Sequence, residues 1–213
     1  MLPVDGMTPE YPVQVEVTSP PRFDRIQLLL RIVLAIVLGW VGITAGWLVC
    51  VLYGALPLIT AIALSSFGRD QYDSEIAPKV SRVLVWLLQL SAYMALLVDR
   101  FPAGDDTSTR VEIRITGKPT VGSALFRLLT SLPSGIVLML LWCISGLLCF
   151  IAAWIVLFGE PIPHSMLGFQ RAVLRWQARL VAYHASLVDE YPPFELDTSD
   201  HHELPLATTS GAH

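Results

Sequence analysis

Two long stretches without a charged residue constrain this chain more than anything else. Neither Ile32 to Phe67 nor Leu128 to Gly159 contains Asp, Glu, Lys, Arg or His. Each exceeds the roughly 20 residues that a membrane-spanning helix needs. Composition agrees: 54% hydrophobic residues, 15% charged residues and a mean hydropathy of +0.58 belong to membrane proteins. The formal net charge of -4 gives no general attraction to nucleic acid. The basic residues flank the apolar stretches instead of forming a solvated stripe, so a nucleic-acid-binding class is set aside. The polar start, MLPVDGMTPEYPVQVEV, lacks the pattern of a cleavable signal peptide, and the first apolar helix is expected to serve as the insertion signal. Cys50, Cys143 and Cys149 lie within apolar runs without CxxC spacing, and read as small buried residues.

The second constraint is internal. Without gaps, VLVWLLQLSAYMALLVDRFP (Val83 to Pro102) aligns with VLRWQARLVAYHASLVDEYP (Val173 to Pro192). The alignment pairs Trp86 with Trp176, Tyr93 with Tyr183, Asp99 with Asp189 and Pro102 with Pro192. Apolar coincidence explains the Leu and Val matches but not Trp, Tyr, Asp and Pro in one register, so the chain carries a repeat. Upstream, VQVEV (Val13 to Val17) and VEIRI (Val111 to Ile115) alternate apolar and polar residues, as half-exposed strands do. Open sheet edges do not occur in hydrocarbon, which places both strands outside the bilayer, where they are expected to pair. The organisation is a tail over 1–10, a first repeat over 11–102, a linker over 103–110, a second repeat over 111–196 and a disordered tail over 197–213.

The expected fold class is an all-α membrane protein. About four transmembrane helices form two tandem parallel repeats, each preceded by a short surface β-strand and an interfacial helix; about six crossings are the alternative. Arg22 to Ala35 is the first interfacial segment, and Pro133, Ser134 and Gly135 mark the corresponding bend in the second repeat. The second crossings are expected near Val80 to Val98 and Leu167 to Val188. Basic residues then crowd the terminal side, which makes both termini cytoplasmic.

Arg171, Arg175 and Arg179 share one helix face with small residues, where lipid would favour bulky apolar side chains. They are candidates for an anion or anionic-lipid site, or for structural pairing with a neighbouring helix, or for a helix lying in the interface. Asp99 and Asp189 end their helices, where negative charge opposes the helix dipole, and so require a partner. Arg25 and Arg127 are the candidates, forming a structural clamp between helix ends and surface helices. Gly42 and Gly46, in GITAG, suit close helix packing within the chain or in a homodimer. No catalytic fingerprint is present, His201 and His202 stand without partners, and His184 with His164 makes a poor haem pair. No metal, cofactor or catalytic residue is expected.

RW, then Arg179, Tyr183 and DEYPPF (Asp189 to Phe194), resemble the carboxy-terminal signature of a bacterial membrane-protein family, domain of unknown function 4389. The resemblance is strong over the second half and weak over the first, where Val85 and Gln89 replace the arginines. It implies a bacterial inner membrane location and leaves activity open. The functional expectation is a non-enzymatic accessory or scaffold subunit that contacts the lipid bilayer, an anionic lipid or membrane-complex subunits. A small transporter or channel with an anion site on the last helix is the alternative, and a lipid head-group enzyme a third.

Overall fold

The computed structural model describes residues 11–40, 45–102, 108–193 and 196, with 38–40 and 45–53 as backbone alone. Both tails, most of the linker, Phe194 and Gly42 lie outside the described residues, and Gly46 is described only as backbone. The order is β1 (Val13–Val17), α1 (Arg25–Trp40), α2 (Ala45–Phe67), a short α3 (Arg69–Gln71) and a π-helical turn (Tyr72–Ile76). There follow α4 (Ala77–Met94), β2 (Thr109–Ile113), α5 (Val121–Thr130), α6 (Leu132–Phe158) and α7 (His164–His184).

Local chemistry fixes several boundaries. Thr120 caps α5 through a capping box with Ser123, each side chain taking the other's backbone N–H. The bend expected at Pro133 to Gly135 falls at Ser131, and Pro133 sits in the first turn of α6, where its missing N–H costs nothing. α6 ends at Gly159, whose φ of 84° suits glycine. α4 and α7 end alike: Leu97 N–H donates to Ala92 O, Leu187 N–H to Ala182 O, and Leu96 and Ser186 both stand at φ 57°. This is a Schellman ending made twice with a non-glycine residue.

The two strands pair antiparallel with Val15 opposite Val111, flanked by Val13 with Ile113 and Val17 with Thr109. The pairing is as expected, but the second strand runs from Thr109 to Ile113, not Val111 to Ile115. This register is symmetric about a twofold axis through Val15 and Val111. Beneath the ribbon α4 and α7 lie side by side and run in opposite directions, because Gln177 donates to Ser91 Oγ at 3.4 Å while Leu84 and Leu87 share a cluster with Val181. The same axis relates them. The halves also exchange helices: α1 packs on α6, and α5 packs on α2.

β1 covers α7 lengthwise. Tyr11 donates to Glu190 O at 2.9 Å beyond one end of the helix, and Arg171 donates to Ser19 Oγ at 3.0 Å near the other. Val13 and Val15 point inward to a core that includes Leu174, Ala178 and Ala182. On the opposite side of α7, Val173, Trp176 and Leu180 pack on Leu138 and Leu141 of α6. Gln170 ties the same two helices, donating to Ser145 O at 3.0 Å and to Cys149 Sγ at 3.2 Å. The layers are therefore ribbon, α4 with α7, then α6.

This layering does not support the four crossings expected from the sequence. They required the two ends of Leu167 to Val188 on opposite sides of a membrane, yet Tyr11 and Ser19, which flank β1, meet Glu190 just past α7 and Arg171 near its start. Arg171, expected on the far side, bonds Ser19 just after the first strand. One helix among the described residues, α6, is long and apolar enough to cross a membrane by length and composition. Cys143 corrects another expectation, because it is exposed on α6, and Cys149 is half-buried.

Candidate functional site

Arg127, on α5, is 5% exposed and holds the end of α7. Its Nη1 donates to Tyr183 O at 2.7 Å and to Val188 O at 2.5 Å, and its Nη2 pairs with Asp189 Oδ1 at 2.5 Å. The guanidinium also stacks 4.5 Å from the Tyr183 ring centre. Asp189 uses its other oxygen to accept from Lys118 N–H at 2.8 Å. One cation thus bonds Val188 O and gives Tyr183 O, which already accepts from Ser186 N–H, a further donor, and one carboxylate fixes the chain entering α5. Gly117 permits the approach: its N–H donates to Leu187 O at 2.9 Å, and a Cβ there would stand 2.4 Å from Ser186 O.

The first half builds the same clamp with a different arginine. Arg31, not Arg25, donates to Val98 O, approaches Asp99 Oδ1 at 3.5 Å and stacks 4.3 Å from the Tyr93 ring centre. Asp99 Oδ2 accepts from Asp24 N–H at 2.8 Å, just before α1. Arg25 is exposed and lies instead against Gly159, at the end of α6. The sequence carried a signal for this assignment, since Arg31 follows Val15 at the same chain distance as Arg127 follows Val111. It was masked because Arg31 borders an uncharged run and reads as an interfacial residue.

The arginine stripe of α7 faces the ribbon. Arg171 bonds Ser19, and Arg179 stacks 5.2 Å from the Tyr11 ring centre. Arg175 lies between them, half-buried. Burial pushes the Tyr11 phenol well above its ordinary range, with Arg179 opposing the shift. In the first half Gln89 occupies the position of Arg179 and donates to Thr109 O at 3.1 Å, so a neutral side chain serves β2 as the cation serves β1. Tyr11 and Ser19 carry no motif, and their role comes only from strand placement.

His184 is buried beside Tyr183, and burial, reinforced by the charge of Arg127, lowers its imidazole to about 4. Among the described residues, no three or more His, Cys, Asp or Glu gather as metal ligands would. The elements that carry the second clamp, the stripe and the α6–α7 tie form one continuous segment. Residues 122–195 match the family model described as Domain of unknown function (DUF4389). The DUF4389 segment takes in nearly all of α5, then α6, α7, Arg127, Asp189 and the three stripe arginines. It covers less than half of the chain and leaves out the first half and β2. No curated protein and no solved structure matches.

Proposed function

We propose that this protein is a non-enzymatic membrane scaffold or accessory subunit whose apolar faces are covered by lipid and whose exposed cations meet anionic headgroups. The observation that carries the reading is the outer surface of α6, most of whose apolar side chains are left unburied. Met139, Leu147 and Phe158 stand 61%, 61% and 73% exposed, and Ile26, Leu29, Phe126 and Leu129 extend this surface over α1 and α5. Water would penalise each such side chain by about 1.5–3 kcal/mol relative to an apolar cover.

Arg171 and Arg179 already hold Ser19 and Tyr11. The stripe therefore serves first to bind α7 to the ribbon, and headgroup contact falls to Arg22, Arg25 and Lys118, which are exposed around the starts of the surface helices. The first half reads as a degenerate copy of the DUF4389 unit, since surface-helix arginine, Schellman ending and aspartate all recur in it. The location that fits is the bacterial inner membrane, with both termini on its cytoplasmic face.

The test is gentle detergent extraction of the full chain, followed by identification of what stays bound. Anionic lipid or stoichiometric subunits are expected. Release from membranes by alkaline carbonate, as a lipid-free single chain, would refute the reading.

A further inference from the structure

We propose that the protein is seated in one leaflet, with α6 lying in the plane of the membrane instead of crossing it. This rests on the membrane reading above and specifies how the lipid is engaged. The ribbon sets the orientation. Its outer face carries Gln14, Glu16, Arg110 and Glu112, and Arg110 pairs with Glu112 at 2.5 Å. A two-stranded ribbon with open edges and exposed charges has no stable place in hydrocarbon, so it stays in water or among headgroups.

Depth then passes from layer to layer. Tyr11 and Ser19 hold the two ends of α7 at the level of the ribbon. α6 runs along the opposite side of α7, tied near its start by Ser134 to Tyr191 and in its middle by Ser145 to Gln170. Its last residue leads into Gly159, where an added Cβ would stand 2.7 Å from Nη2 of Arg25, which opens the surface helix α1. Neither end of α6 leaves the level of α7. A helix of 27 residues is about 40 Å long and would span a bilayer if it stood upright. Standing it upright stands the ribbon upright too, and drives Glu16 and Glu112 into hydrocarbon.

Exposed apolar side chains continue from α6 onto α4. Val83 and Trp86 of α4 are 57% and 45% exposed, although their counterparts Val173 and Trp176 are buried against α6. Lipid covers in the first half what α6 covers in the second. At the end of α6, Phe150, Trp154 and Phe158 form a ladder with ring centres 6.3 and 6.1 Å apart. The occupant of this face is an anionic leaflet, because the exposed cations Arg22 and Lys118 lie in the connections from the ribbon to the surface helices and Arg25 opens α1.

The experiment uses the full chain with its three cysteines replaced by alanine, in vesicles of phosphatidylcholine and phosphatidylglycerol. Spin labels at Met139→Cys, Leu147→Cys and Trp154→Cys, all exposed on α6, report depth. Impermeant maleimide on Asp70→Cys, Ser165→Cys and Glu112→Cys, exposed in α3, the first turn of α7 and the ribbon, reports sidedness. One common depth for the three spin labels and one common side for the three maleimide sites are expected. A crossing α6 would separate the first and last spin labels by about 22 Å, and that result overturns the inference. Labelling of Asp70 or Ser165 from the side opposite Glu112 overturns it as well. Either outcome leaves the membrane reading intact, whereas spin labels without lipid contact overturn both.

Discussion

Arg127 reaches Asp189 at 2.5 Å while its other nitrogen serves the carbonyls of Tyr183 and Val188, so one side chain from α5 terminates α7. Arg127→Ala removes the side-chain donor to Val188 O and to Tyr183 O and the partner of Asp189, and about 2–4 kcal/mol of stability should be lost. Asp189→Asn should cost less, because that carboxylate is 45% exposed and its charge is partly screened. Thermal unfolding in mild detergent measures both. Equal losses would mean that the ion pair, not the carbonyls, holds the helix end.

Arg31 should behave like Arg127, and Arg25 should not. Arg31→Ala removes a guanidinium that is 4% exposed and donates to Val98 O, so a loss of about 2 kcal/mol or more is expected. Arg25→Ala, at an exposed position, should stay within about 0.5 kcal/mol. The same melts, run side by side, decide which arginine forms the first clamp.

The ribbon contacts predict matched small effects in the two halves. Arg179→Ala should cost about 1 kcal/mol through the lost stack on Tyr11, and the double variant with Tyr11→Ala, which also loses the bond to Glu190 O, should cost less than the sum of the two single losses. Gln89→Ala should cost about 1 kcal/mol through its bond to Thr109 O. A double-mutant cycle on Arg179 and Tyr11 that sums additively would remove the stack as a stabilising contact.

His184 supplies a pH dependence with a definite sign. Its folded value is about 4, below the ordinary 6.5, so the unfolded chain binds the extra proton first. Stability is full above pH 6.5 and falls as pH drops from there toward 4, by roughly 3 kcal/mol in all. Melting temperature should decline between pH 7 and pH 5, and His184→Gln should flatten that slope. A slope that persists in the variant would assign the titration to another group.

Gly117→Ala should be disruptive despite its small size. The new methyl would meet the backbone of Ser186 and Leu187, where neither partner is a flexible side chain. A loss of about 2 kcal/mol or more is expected, with Gly122→Ala, which meets nothing, as the neutral control. Urea or thermal titration of the pair checks it.

What the sequence determined by itself was whatever depends on composition and on order along the chain. Uncharged runs require an apolar cover, period-two alternation makes VQVEV a strand, and Trp, Tyr, Asp and Pro in one register make two related halves. Even the partner of Asp189 was within reach, because a helix-ending carboxylate needs a cation and Arg127 lies on the next surface segment. Tertiary structure alone decided which segments pack together and in which direction. Crossing and lying flat need the same apolar residues, and only the contacts of Tyr11 and Ser19 bring both ends of the α7 segment against the same strand. The arginines of α7 were ambiguous for the same reason: a guanidinium meets lipid phosphate, a carbonyl or a tyrosine ring by similar chemistry. Which one it meets depends on a strand more than 150 residues away in the chain, brought there by a twofold arrangement that no local pattern encodes.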